Sequence, residues 1–210
     1  RKVDPMKIYD ISMTISESMP VYKGKPSLKP VIETERDFST SSAHESKLHM
    51  NLHSGTHLDM PLHMIPGGKT LETLSLDKVI TPCKVFDFTN KDISIGVEDL
   101  KKKDIQEDDF ILLKSKNSFE DILEGNFIYL DREGSAYLRD KKIKGVGTDS
   151  LGIERDQPDH MTHIQLLEAG IIILEGLRLK DIPEGEYTLF AAPIKIHGTE
   201  AAPVRAVLIK

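Results

Sequence analysis

The sequence predicts an α/β fold in a single domain spanning residues 1–210, and three observations carry that prediction. Short runs rich in β-branched and aromatic residues alternate with segments of helical periodicity. No internal repeat, low-complexity tract or Gly/Ser linker breaks the chain. With 210 residues, 39% hydrophobic and 30% charged, it has the length and balance of one soluble domain that buries a core without disulfide staples.

Runs bounded by turn residues predict strands over residues 7–11, 80–88, 110–113, 127–130, 143–146, 171–174, 187–191 and 204–209. Helices are predicted over 97–103, 135–140 and 159–169. The last is the best marked: Pro158 and Asp159 supply start signals, Gly170 a left-handed stop, and Met161, Ile164 and Leu167 an apolar stripe at helical spacing. It feeds directly into the strand at 171–174. That strand ends on Glu175-Gly176, an acid where an α/β connection turns back to solvent, a common place for functional groups.

Composition narrows the function classes. Lys and Arg number 28 against 34 Asp and Glu, a formal charge of −6 that offers no general basic surface for nucleic acid. The basic runs Lys101-Lys102-Lys103 and Lys141-Lys142-Ile143-Lys144 have acids close by and read as solvated faces. Cys83 is the only cysteine, so an intrachain disulfide and a thiolate metal cluster are both excluded; it enters an apolar run as a buried structural thiol. The cytoplasm is the expected compartment. The apolar run AGIIIL at 169–174 is far below membrane-spanning length, and the start RKVDPMKIYD lacks the apolar region of a secretory signal.

Against that background HSGTHLDMPLH, residues 53–63, places three of the chain's eight histidines beside an aspartate. Gly55, Thr56 and Pro61 argue against a regular helix. As a strand, residues 53, 57, 59 and 63 share parity and face one way. Fully extended, however, His53 to His57 spans about 13 Å at roughly 3.3 Å per residue, too far for one ion. Gly55 is therefore expected to bend the chain and gather the pair, Thr56 to tie the bend through its hydroxyl, and Pro61 to redirect the chain before His63. Two imidazoles and a carboxylate without thiolate suit zinc or manganese and leave positions open for water. Further ligands could come from His160 and His163, three apart on the predicted helix, and from Glu175. His44, His49 and His197 have no comparable context and read as ordinary residues; Met50, Met60 and Met64 could line a pocket or an interface but read first as core packing.

HSGTHLDMPLH matches in full the HxGTHxDxPxH signature of the cyclase superfamily, which includes bacterial kynurenine formamidases, or arylformamidases, and isatin hydrolases. The resemblance covers most of the chain: Tyr9-Asp-Ile-Ser, Met19-Pro-Val-Tyr-Lys-Gly, HIQLLEAGIIILEGL, residues 189–193 and Pro203-Val-Arg-Ala-Val are similar to the family's flanking segments. It implies an α/β fold of the swivelling β/β/α type with a mixed sheet, a homodimer or homotetramer, and a metal-dependent hydrolase centre with one or two ions, Zn2+ or alternatively Mn2+. Carried over by position, His53, His57 and Asp59 are ligands and His63 is the proton-transfer residue. The family's later pair is a His and a Glu twelve residues apart, so the resemblance selects His163 and Glu175 rather than His160. Two positions depart from the kynurenine formamidase pattern. Tyr22 stands where those enzymes carry a substrate-packing Trp, and Ile164 where they tend to have a second His.

The activity implied is hydrolysis of the amide or formamide C–N bond of a small, aryl-type substrate such as N-formylkynurenine, as in tryptophan catabolism, with Tyr22 against the substrate. A second reading is cyclic-amide or other small-carbonyl hydrolysis of the isatin hydrolase kind. A third, from another class, is a non-catalytic metal-binding or ligand-sensing protein.

Overall fold

A computed structural model describes residues 5–210; the first four residues, on which the reading of the chain's start partly rests, lie outside the described part. Thirteen strands and three α-helices follow one another as β1 (Ile8–Asp10), β2 (Val31–Arg36), β3 (Glu45–His49), β4 (His57–Asp59), β5 (Ile80–Asp87), β6 (Ser94–Ile95), α1 (Val97–Leu100), β7 (Phe110–Lys114), β8 (Tyr129–Leu130), α2 (Arg132–Asp140), β9 (Gly145–Thr148), α3 (Met161–Glu168), β10 (Ile172–Glu175), β11 (Gly185–Phe190), β12 (Ala201–Pro203) and β13 (Val207–Ile209). Nine strands form one mixed sheet in the order β1-β13-β11-β5-β7-β9-β10-β4-β12. Its centre, β5-β7-β9-β10, is parallel, and every pairing outside it is antiparallel. The α/β class with a mixed sheet is thus observed. Among the described residues no helix is long and apolar enough to cross a membrane.

Strand periodicity divides the core into two layers. Phe110 and Leu112 of β7, with Ile172 and Leu174 of β10, enter one apolar cluster; Ile111, Leu113 and Ile173 enter the other, where Leu138 of α2 and Leu166 of α3 pack. The sheet curls round the first cluster, which joins Leu208 near one edge to Ala202 at the other. Both faces of the central strands are therefore buried, as near-continuous apolar runs of parallel strands require.

Each of the eight expected β-runs holds a strand. Two features differ from or add to that expectation, and Cys83 meets its own. The helix expected over 159–169 begins at Met161, because His160 takes a left-handed backbone (φ 51°, ψ 32°). Its buried face is Thr162, His163, Gln165, Leu166 and Leu167, while Met161 and Ile164 of the expected stripe stay partly exposed. The helix has turned to set His163 over the sheet, and burial of a histidine has displaced the apolar stripe. The hairpin β2–β3 stands outside the main sheet with most of its residues exposed, so no face alternates cleanly in the sequence. Cys83 is buried, and burial pushes its thiol up to about 12, in keeping with a structural role.

Candidate metal centre

The site is built from a three-residue strand wedged between two neighbours. In β4, Leu58 joins the cluster inside the curl, so His57 and Asp59 on either side of it face the helical layer. Register then places Glu175 directly opposite His57 and Ile173 opposite Asp59 on β10, and the small Ala201 opposite Asp59 on β12. Directly opposed residues share a face at close Cβ spacing, which brings His57 and Glu175 together. The bend expected at Gly55 is present, with φ 74°. It crosses a second left-handed glycine, Gly176 (φ 72°), so closely that a Cβ on Gly176 would lie 2.3 Å from the Gly55 carbonyl oxygen. Thr56 locks the crossing: its Oγ1 donates to the Gly176 carbonyl (2.7 Å) and accepts from the Met13 amide (2.7 Å).

Four elements bring five side chains to one point. His53 Nδ1 lies 3.1 Å and His57 Nε2 3.5 Å from Asp59 Oδ1; His57 Nε2 is also 3.2 Å from Glu175 Oε2. From α3, His163 Nε2 lies 3.7 Å from Asp59 Oδ2 and 3.4 Å from Glu175 Oε1. Yet His57 Nε2, His163 Nδ1 and both Asp59 oxygens, all buried, make no aligned hydrogen bond. The ligand atoms of His53, His57 and Asp59 lie within 4.8 Å of one another. Buried polar atoms are normally satisfied, so this donor set fits a cation that the protein itself does not supply. His57 Nδ1 donates to the Gly55 carbonyl (2.9 Å), which leaves Nε2 as the ligating nitrogen.

The electrostatics agree. Burial works to lower the His57 imidazolium, but the Glu175 contact and the Asp59 charge outweigh it and raise the ring to about 9. His163 is likewise raised well above its ordinary value, against burial, by Asp59, Glu154 and Glu175. Burial opposes ionisation of Asp59, but His163 and His53 hold it well below the usual carboxylate range. Glu175 is brought down to about 2; burial and the Asp59 charge oppose this, and His163 and His57 prevail. Two buried carboxylates thus stay ionised, and positive charge must sit among them, as protons or as a metal ion.

His63 follows β4 on a single 3₁₀ turn, Pro61–His63, the redirection expected of Pro61. Its ring centroid lies 4.1 Å from that of His53 and 5.4 Å from that of His163. Burial pushes its imidazolium below the ordinary value; Asp59 offsets part of this, and His53 and His163 add to it. His63, Tyr22, Leu28, Met64 and Leu151 line a cavity of about 270 Å³ that opens onto His53, His163 and Glu175. Tyr22 packs on Phe127 with centroids 6.1 Å apart, and its loop is held by the Val21 amide donating to Glu124 (3.1 Å). All seven residues expected at the site therefore come together. A larger cavity of about 600 Å³ lies elsewhere, against Lys84, Lys144 and Glu186. Lys84 pairs there with Asp109 (2.8 Å) and Lys144 with Asp108 (3.2 Å), so size is a weaker guide than the unpartnered donors around Asp59.

Comparison with known proteins agrees with this geometry. The family model described as "Putative cyclase" matches residues 9–155, which contain the whole of HSGTHLDMPLH. The chain belongs to the cyclase family. The part beyond 155 is matched by full-length relatives of this cyclase chain: "Kynurenine formamidase" of Salinibacter ruber is 33% identical over 206 residues, covering 97% of each chain. A solved structure from Bacillus stearothermophilus, described as a "predicted metal-dependent hydrolase", is 50% identical with a TM-score of 0.89 and covers 98% of both chains. Isatin hydrolase A from Labrenzia aggregata, 23% identical with a TM-score of 0.84 over 97% of this chain and 93% of its own, shares the fold.

Two residues of this cyclase-family site escaped the sequence reading. Glu154, buried, lies 3.0 Å from His163 Nδ1 and 2.6 Å from His160 Nδ1. Glu200 approaches His53 Nε2 at 3.3 Å. Both lie in irregular segments, where no periodicity marks a side chain as inward-facing. His160, which the resemblance set aside as a ligand, stands half-exposed on the cavity wall just before α3.

Proposed function

We propose that this chain is a metal-dependent hydrolase that cleaves the amide or formamide C–N bond of a small aryl-type substrate such as N-formylkynurenine, working as one domain over residues 1–210. The observation that carries the reading is the set of fully buried, unpartnered nitrogen and oxygen atoms of His57 and Asp59 beside His63, whose imidazolium burial lowers, in a cavity. The near-full-length similarity to a kynurenine formamidase supports the substrate class. Zn2+ is the proposed ion and Mn2+ the alternative, since imidazole and carboxylate ligands suit both.

His53, His57, Asp59, His163 and Glu175 would hold the metal. The two oxygens of Asp59 face different partners, Oδ1 toward His53 and His57 and Oδ2 toward His163, which supports a set able to hold one ion or two. When bound, the ion supplies Lewis acidity, acidifying a water and polarising the substrate carbonyl. His63 takes a proton from the attacking water at a free ring nitrogen and passes it to the leaving nitrogen, which would otherwise depart as a poorly stabilised amine anion. Tyr22 lies on the cavity wall where an aryl group would pack, and burial of the site excludes bulk water. A homodimer or homotetramer is proposed from the family resemblance. A cytoplasmic location is proposed from the single, buried Cys83.

A second reading, opening of a cyclic amide such as isatin, is favoured by Tyr22 in place of Trp. A non-catalytic, ligand-sensing role is the third. Purified protein of known metal content, assayed on N-formylkynurenine, formanilide and isatin, separates them. Turnover of the formamides is expected; isatin opening alone selects the second reading, and silence on all three the third. Asp59→Ala and Glu175→Ala should both lose bound zinc by elemental analysis, whereas full retention in both would remove the ligand assignment.

A further inference from the structure

Glu154 has no part in the ligand set, yet it is buried, and among the described residues its ion-pair partners are two imidazoles. Its carboxylate spans the start of α3. Oε2 accepts from the backbone amide of His163 at 3.1 Å, and Oε1 lies 3.0 Å from Nδ1 of the same ring. Oε1 also accepts from His160 Nδ1 at 2.6 Å. One carboxylate thus accepts from the His163 main chain and stands at ion-pair distance from its ring nitrogen, a contact short of an aligned hydrogen bond.

We infer that Glu154 is a positioning residue for the metal centre: its carboxylate fixes the ring orientation and tautomer of His163, and His160 braces that carboxylate from the cavity wall. An ionised carboxylate offers only acceptors and negative charge, which favours the proton on the ring nitrogen 3.0 Å from it. A neutral imidazole has one N–H, and with Nδ1 protonated the lone pair resides on Nε2, the atom facing Asp59 and Glu175. His57 is oriented in the same sense by a main-chain carbonyl, that of Gly55. The two buried histidines therefore receive their orientation from different sources, and only that of His163 depends on a side chain that mutation can remove. Such outer partners of ligating histidines are worth about 10–100-fold in metal affinity.

The inference rests on the reading of His163 as a ligand, and the two fail differently. If His163→Ala retains zinc, the ligand reading fails; if His163→Ala loses zinc while the Glu154 variants bind normally, the ligand reading stands and this one fails. The experiment measures Zn2+ affinity by chelator competition in Glu154→Ala, Glu154→Gln and His160→Ala, alongside thermal unfolding. Glu154→Ala is expected to weaken zinc binding about 10–100-fold. Glu154→Gln keeps an acceptor for the His163 amide but not the charge, and is expected to fall well short of wild-type affinity. His160→Ala should stay within a few-fold of wild type. Wild-type affinity in Glu154→Gln would leave Glu154 a mere tether of the loop and overturn the inference. A measurement without any variant decides the case should Glu154→Ala fail to fold. Histidine-selective 15N spectra of the zinc-loaded wild type should show His163 protonated at Nδ1, and protonation at Nε2 would overturn the inference.

Discussion

A side chain that must take up and release a proton during a reaction has to reach the reaction neutral and uncoordinated. Burial drives His63 that way by lowering its imidazolium, whereas the carboxylates hold His57 and His163 raised. His63→Ala is therefore expected to keep its zinc, by elemental analysis, and to lose turnover by about a hundredfold or more. Loss of zinc in that variant would make His63 a ligand, an outcome its ring nitrogen, within 4.8 Å of atoms of Asp59 and His163, makes worth measuring. The residues of this centre were legible in unequal degree. His53, His57, Asp59 and His63 stand within eleven positions, so local spacing exposed them. The choice of His163 over His160 needed the family resemblance, and its physical reason is now visible: His163 lies one turn into α3 facing the sheet, while His160 precedes the helix and faces the cavity. Glu154 and Glu200 act across turns with no periodic pattern, and nothing in the sequence marks them.

The site's precision comes from the crossing of two turns more than from any strand. Gly55 and Gly176 are both left-handed and their backbones touch, one feeding β4 and the other leaving β10. Gly176→Ala would meet two penalties, the left-handed conformation and a Cβ 2.3 Å from the Gly55 carbonyl oxygen. Gly67 is a control, left-handed at φ 73° but with open space, nothing within 4 Å, where an alanine Cβ would stand. Gly67→Ala is expected to cost about 1 kcal/mol in urea unfolding, and Gly176→Ala about 3 kcal/mol or more with impaired zinc retention. Equal costs would mean that the crossing adjusts freely and does not set the ligand geometry. At this scale the central strands could be read from sequence because both faces are apolar. β2 and β3 could not, being largely exposed, nor could β12, whose Ala201, Ala202 and Pro203 carry no β-type signal.

Across the whole molecule, the centre links metal, protons and stability. Without an ion, the raised His57 and His163 are protonated near neutral pH and balance Asp59 and Glu175. A histidine whose folded value is raised stabilises the fold fully below its unfolded value of 6.5, and that contribution is lost as pH climbs toward about 9. The lowered carboxylates act in the opposite window: Glu175 stabilises above its ordinary 4.5 and ceases to as pH falls toward about 2. Chelated protein should accordingly be most stable at about pH 5–6.5 and lose of order 3 kcal/mol, from His57 alone, by about pH 9. Zinc is expected to reverse the alkaline limb. It must displace those protons to bind, so its affinity, and the rise in Tm it causes, should grow steadily from pH 6 toward about 9. Thermal unfolding in chelator and in excess zinc across this range tests both limbs, and proton release on zinc addition at pH 8 tests the exchange directly. A chelated Tm that is flat between pH 6 and 9 would mean that His57 and His163 are already neutral and that Asp59 and Glu175 are not both ionised without the ion. The two buried carboxylates would then share a proton, and the His–carboxylate pairing would exist only once the metal has bound.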